Sequence, residues 1–226
     1  MSTFGQLKAL IWKDVLAELR TKEMVVSMLV FALLVIVIFV FAFDPGSGAM
    51  AEAAPGILWV AYTFAAILGL NRSFVLEQEN QCLQGLLLTP VDRSVIYLGK
   101  FMGNLIFVGV IELIILPVFV VLFDLSLTFG GLGWLLLIIV LSTAGFVAVG
   151  TLFSAISANT KAREILLPIL LFPVTVPVLI SAVKITGLVL QAEPASEIWP
   201  WLKLLIAFDL IFITVAFLTF EYVVED

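Results

Sequence analysis

The chain has 226 residues, 63% of them hydrophobic and only 12% charged, with a formal net charge of −6 and a mean hydropathy of +1.24. Soluble domains carry about a quarter charged residues, so this composition excludes a soluble globular domain and predicts a multi-spanning membrane protein, while the acidic balance excludes a basic nucleic-acid surface. Histidine is absent and Cys82 stands alone, which excludes Ser-His-Asp and Cys-His catalytic sets, an internal disulfide and a multi-Cys metal site.

Residues 1–23 come first. Phe4, Leu7, Ile11, Val15 and Leu19 repeat at helical spacing with Trp12 beside them, although Asp14 and Glu18 intrude on the stripe. Lys8, Lys13, Arg20 and Lys22 make the segment basic. That pattern predicts an interfacial helix on anionic headgroups; the plainer alternative is a solvated leader to the first span. No cleavable signal is expected, because the first apolar run is long and no small-residue cleavage site ends a short core.

Residues 24–43 form the first predicted span, about twenty uncharged residues that can cross about 30 Å of hydrocarbon. Asp44-Pro45-Gly46-Ser47-Gly48 stops it. Further spans are predicted at 57–74, 101–123, 132–156, 165–183 and 201–224, all within a single transmembrane domain.

Between the second and third spans lies a long polar insertion, 75–100. Arg72, Glu77, Glu79, Asp92 and Arg93 are expensive in lipid. Leu76, Leu83, Leu86 and Leu87 fall roughly on one side of a helix, opposite Glu77, Gln81 and Gln84. Thr89-Pro90, followed by Asp92, reads as the capped start of a new helix. The segment is therefore expected to hold a short amphipathic helix that docks a partner. Its candidate docking residues are Arg72, Phe74, Glu77, Asn80, Leu83, Leu86, Leu87 and Pro90.

Lys and Arg set the orientation. They concentrate before the first span, in the loop after the second and in the loop after the fourth (Lys161, Arg163), which predicts both termini and the docking segment in the cytoplasm. Trp59, Trp134, Trp199 and Trp201 fall at the predicted outer ends of spans and Trp12 at the inner face, the positions of an aromatic belt.

Acidic residues inside spans are functional candidates. Glu112 is mid-membrane in the third span, where it can make a polar contact with a partner span or sit protonated and bonded within the bundle. Asp209, in the sixth, can pair with Lys203 or face an outer vestibule. Glu221 is expected to snorkel to the interface. Pro168, Pro173 and Pro177 break the hydrogen-bond ladder of the fifth span, giving either a hinge or a static kink. Ser142, Gly145, Gly150 and Ser154 read as a close-packing face of the fourth.

Three stretches carry a resemblance. Ala54-Pro55-Gly56-Ile57-Leu58-Trp59-Val60-Ala61 leads into the second span. Arg72, Phe74, Glu77, Leu83, Gly85-Leu86-Leu87-Leu88-Thr89-Pro90 and Lys100 follow. Later come Leu167-Pro168 and Leu171-Phe172-Pro173-Val174-Thr175-Val176-Pro177-Val178-Leu179-Ile180. Over most of its length the chain resembles the cytochrome c maturation protein B family, also called haem exporter protein B, a family of ABC-2-type permease subunits. It departs from the family at the docking segment, where Asn80, Gln81, Cys82 and Gln84 replace the usual acidic-Gly-Ser/Ala-Leu-Glu pattern. The resemblance implies an all-α membrane protein with six transmembrane helices, an N-terminal interfacial helix and a cytoplasmic coupling helix between spans 2 and 3. It also implies a separate ATP-binding subunit carrying ATP and Mg, a haem-handling membrane subunit, a small single-span subunit and a periplasmic haem chaperone. The setting would be a bacterial inner membrane.

No Gly-x-x-x-x-Gly-Lys-Ser/Thr loop is present, so energy is expected to enter through a partner at the coupling segment. Haem iron takes His, Met, Cys or Tyr as axial ligand. With no His, Cys82 in the docking loop and only Met50 placed in an outer loop, the chain alone is expected to bind no haem and no metal; haem would be handled by the complex. Two other readings remain open at this level: an ABC-2 permease for a drug, lipid or polysaccharide, and a non-transporting scaffold that only couples ATPase motion to a partner.

Overall fold

A computed structural model of the chain describes residues 3–43, 47–79, 91–125, 127–158, 160 and 162–223; of residues 74–79, 158, 163 and 164 it describes the backbone. The described residues form helices α1 (Thr3–Thr21), α2 (Glu23–Ala42), α3 (Gly48–Glu79), α4 (Arg93–Leu122), α5 (Phe129–Ala158), α6 (Arg163–Leu190) and α7 (Ala195–Val223), and no strand. Six of them, α2 to α7, are long and apolar enough to cross a membrane, as the sequence predicts. Consecutive spans run in opposite directions, so α1 lies at the end shared by the start of α2 and the end of α3.

Most helices outrun the predicted spans. Hydropathy stops where polar residues begin, but a helix keeps its own backbone bonds satisfied and continues into the headgroup layers. At about 1.5 Å per residue, the 32 residues of α3 extend about 48 Å, well past the hydrocarbon. The helix starts at Gly48 rather than at residue 57, so Ala54-Pro55-Gly56 lies inside it and does not precede it.

Two helices are central. In α3 and α5, 72% of the span residues are buried, against 22–33% in the other four. Small residues make this possible, because lipid tails give no hydrophobic drive between helices and close approach must come from packing. Gly69 of α3 lies against Met28, whose sulfur would be 2.6 Å from an added Cβ. On α5, a Cβ at Gly150 would run into Leu70, and one at Gly145 into Phe208 and Asp209. The small residues of α5 therefore do not form one packing face: Gly150 and Ser154 serve α3, while Gly145 serves α7. Hydrogen bonds across helices follow the same pattern. Ser154 donates to the Leu70 carbonyl at 2.7 Å, Asn104 to Thr151 at 3.1 Å, and Tyr97 to the Ala148 carbonyl at 3.1 Å.

Trp59 departs from the aromatic-belt expectation. It is buried, stacks edge-on to Tyr62, and its indole N–H donates to Thr186 on α6 at 2.9 Å. Its polar edge finds a partner inside the protein and not at the headgroups. Met50 is likewise buried within α3, not in a loop.

Candidate functional site

At the α1 end, the chain turns from α1 into α2 through one residue. Lys22 takes a left-handed backbone (φ 57°), a conformation that a side chain with a Cβ adopts only at some strain. The turn exposes the first N–H groups of α2, and Glu18 answers them: its carboxylate accepts the Val25 N–H at 2.8 Å. A negative charge here also matches the positive end of the helix dipole.

The acids that spoil the α1 stripe in the sequence are the residues that dock the helix. Asp14 accepts from the Lys100 ammonium of α4 at 2.9 Å, with the Lys100 side chain only 6% exposed, and from Lys13 at 3.2 Å. Leu10 packs on Gly99, where an added Cβ would meet it at 2.9 Å, and Gly103 leaves room for Asp14 itself. The inward face of α1 is Leu7, Leu10, Ile11, Asp14, Val15 and Glu18; Phe4 and Leu19, assigned to the stripe from sequence, are exposed with Trp12 and Leu16. The helix therefore has two apolar edges, one against α4 and one outward, as an interfacial helix requires.

The same end carries the proposed docking segment. Arg72 on α3 pairs with Glu23 on α2 at 3.0 Å, an exposed contact. Phe74 and Glu77 lie on the helical backbone of α3, which continues to Glu79. Asn80, Leu83, Leu86, Leu87 and Pro90 lie outside the described residues, and so does the amphipathic helix expected there. Thr89, expected with Pro90 to open the new helix, also lies outside the described residues. Val91 and Asp92 are not helical, and α4 opens at Arg93, with the Asp92 carbonyl accepting from Val95 at 2.9 Å. The helices that flank residues 80–90 each carry an ion pair near this end, Arg72–Glu23 on α3 and Lys100–Asp14 on α4.

The second polar centre is in the middle of the bundle. Glu112 of α4 is 3% exposed. The Thr143 hydroxyl of α5 donates to its carboxyl at 2.5 Å, and the Tyr62 hydroxyl of α3 donates to its backbone carbonyl at 2.9 Å. These bonds tie α3, α4 and α5 together at one level. Because the carboxyl faces inward, the geometry does not suit the expected contact with a partner span. Sequence reading found Glu112 but not Thr143, Tyr62 or Trp59; an apolar pattern with a few hydroxyls does not reveal which helix each one meets.

Asp209 of α7 is also buried, against Gly145 of α5, and one carboxyl oxygen has no hydrogen-bond partner among the described residues. Lys203 is exposed and makes no ion pair with it among the described residues, so the pairing expected from spacing is corrected: the residues point to different sides of α7. Nor does Asp209 line the cleft of about 440 Å³ at the end away from α1, whose polar walls are Glu52, Asp124 and Gln191. Glu221 is exposed near the end of α7.

Pro168, Pro173 and Pro177 do not break their span. All three lie inside the continuous helix α6, and Pro173 and Pro177, one turn apart, sit on its exposed face. Thr175 donates to the Leu171 carbonyl at 2.9 Å and Ser181 to the Pro177 carbonyl at 2.8 Å, adding side-chain bonds where the backbone ladder is thinned.

Six apolar helices with two buried carboxyls between them define a multi-pass membrane protein of the permease type. The family is settled by comparison: a model of the CcmB protein family matches residues 5–225, and the chain belongs to that family. Similar proteins include heme exporter protein B of Pseudomonas aeruginosa, 30% identical over 182 residues (80% of this chain and 81% of that one). Heme exporter protein B of Rhodobacter capsulatus is 29% identical over 179 residues (79% and 81%). That of Escherichia coli K12 is 30% identical over 175 residues (76% and 79%).

Proposed function

We propose that the chain is the membrane permease subunit of an ABC-type complex serving cytochrome c maturation, and that it exports haem or couples ATP hydrolysis to release of the haem-loaded chaperone. Family membership supports the setting. The observation that supports the mechanism is the pair of ion pairs on the helices that flank segment 80–90, Arg72–Glu23 and Lys100–Asp14. A force applied there by an ATP-binding subunit enters α3 and α4 together, and these helices meet again at Glu112 through Tyr62. The α1 helix, tied to α4, moves with them.

ATP and Mg belong to the partner subunit, since the chain has no phosphate-binding loop. Haem, if ligated in the complex, is ligated by another membrane subunit. Met28 and Met50 are packed in the core, where a thioether is not free to reach iron. The single-span subunit and the periplasmic chaperone complete the assembly, in a bacterial inner membrane with both termini and segment 80–90 in the cytoplasm.

The test is genetic complementation. A host lacking its own copy of this subunit should regain covalently haem-bearing c-type cytochromes when it carries the chain together with its ATP-binding partner. Stable insertion of the chain with no c-type cytochrome recovered would favour export of a different substrate.

A further inference from the structure

Beside Glu112 lies a small cavity between α3, α4 and α5, with Leu179 of α6 in its wall, of about 10 Å³, the scale of one water molecule. Its polar walls are Glu112, Ser142, Thr143, Thr63 and Tyr62, and none of its lining residues is basic. Ser142 is 1% exposed, and its hydroxyl has no hydrogen-bond partner among the described residues. That is unusual for this chain. Thr175, Ser181, Thr186, Thr214 and Thr219 each satisfy their hydroxyl on the carbonyl one turn back. Ser142 does not take that bond and borders the cavity instead. An unpaired buried hydroxyl is destabilising, so a partner is called for.

We propose that the cavity is a binding site for a single water molecule that bridges the Ser142 hydroxyl to the Glu112 carboxyl. Water suits the site better than a cation. It both donates and accepts, so it can serve Ser142 and the carboxyl at once. A cation needs oxygens on every side, and here Tyr62 donates to the Glu112 carbonyl and Thr143 to the Glu112 carboxyl, leaving too few lone pairs aimed inward. The bridge joins α4 to α5 a second time beside the Thr143 bond and hydrates the buried carboxyl.

The experiment is infrared spectroscopy of the full chain in lipid bilayers, prepared in ordinary and in ¹⁸O water. The wild type should show an O–H stretching band that shifts with the isotope and is absent in Ser142→Val, which fills the cavity and removes the hydroxyl. In Ser142→Ala, which keeps the space but loses one partner, the Glu112 carboxyl band, identified by its loss in Glu112→Gln, should change frequency. Ser142→Thr should retain both signals. Either of two results would overturn the proposal: an isotope-shifted spectrum identical in wild type and Ser142→Val, or a Glu112 band that moves on exchanging sodium for potassium or lithium, which would assign the site to a cation. If Ser142→Val fails to fold, the Ser142→Ala frequency change and the cation exchange decide the matter.

Discussion

Lys100 and Asp14 are the residues whose roles depend most on the folded chain. Each is expensive alone in a low-dielectric setting, and together they hold α1 on α4. Breaking such a pair from one side leaves a buried charge, so Lys100→Met should destabilise the protein by about 3 kcal/mol. The double variant Lys100→Met/Asp14→Leu should recover most of that loss. Thermal unfolding in detergent measures both, and equal losses would mean that the pair contributes only packing. Glu18 works through the backbone. Glu18→Ala should cost about 1 kcal/mol by uncapping α2, with faster amide exchange at Val25, while Glu18→Gln keeps an acceptor and should lose less. None of these three roles was legible in the sequence. Asp14 and Glu18 look like flaws in an apolar stripe because the stripe's period says nothing about a lysine far along the chain or about an orphan N–H beyond a one-residue turn. Glu112 was legible as an oddity, since a carboxyl amid apolar residues stands out at any level, but its partners were not.

At the scale of elements, hydropathy located all six spans and their order, because the cost of unpaired backbone groups in lipid leaves helices as the only spanning form for such segments. It missed their ends, since helices run on past the hydrocarbon. It left α6 open between a hinge and a static kink, and the three prolines lie within one continuous helix. Proline removes one bond and crowds one carbonyl; on an exposed face the helix can accommodate both and remain continuous. The small residues of α5 were found, but their directions were not, because a helix that packs against several neighbours has no single packing face. That arrangement gives a prediction. Gly150→Ala should overpack against Leu70 and cost about 1–3 kcal/mol. Shortening the neighbour with Leu70→Val should make the pair less harmful than the sum of the two single changes. Strict additivity in a double-mutant cycle would show that the two side chains do not meet.

At the scale of the molecule, the tryptophans illustrate what a sequence can and cannot say about orientation. Trp199 lies exposed at the start of α7, as a belt residue should, but Trp59 is interior, and the Lys and Arg distribution carries the argument without it. The proposed orientation puts Cys82 on the cytoplasmic side, so an impermeant thiol reagent on intact cells should miss it and reach a cysteine placed at Ala195; the reverse labelling would invert the topology. The same account makes the subunit mechanical where haem is concerned. The isolated chain mixed with haem should give no one-to-one Soret band, whereas the intact complex should; a stoichiometric band lost in Met50→Ala would point to haem passing through this subunit instead.

The central claim is that segment 80–90 receives motion from an ATP-binding subunit and delivers it to α3 and α4. Its most direct test is the amount of that subunit retained by the membrane-inserted chain when Leu83 is changed to Asp. A charge forced into an apolar contact costs several kcal/mol, enough to lower retention by two orders of magnitude or more, so Leu83→Asp should leave the chain inserted and nearly free of the ATP-binding subunit. Glu77→Ala should reduce retention less. Full retention in Leu83→Asp, with ATPase activity and c-type cytochrome production unchanged, would contradict the account.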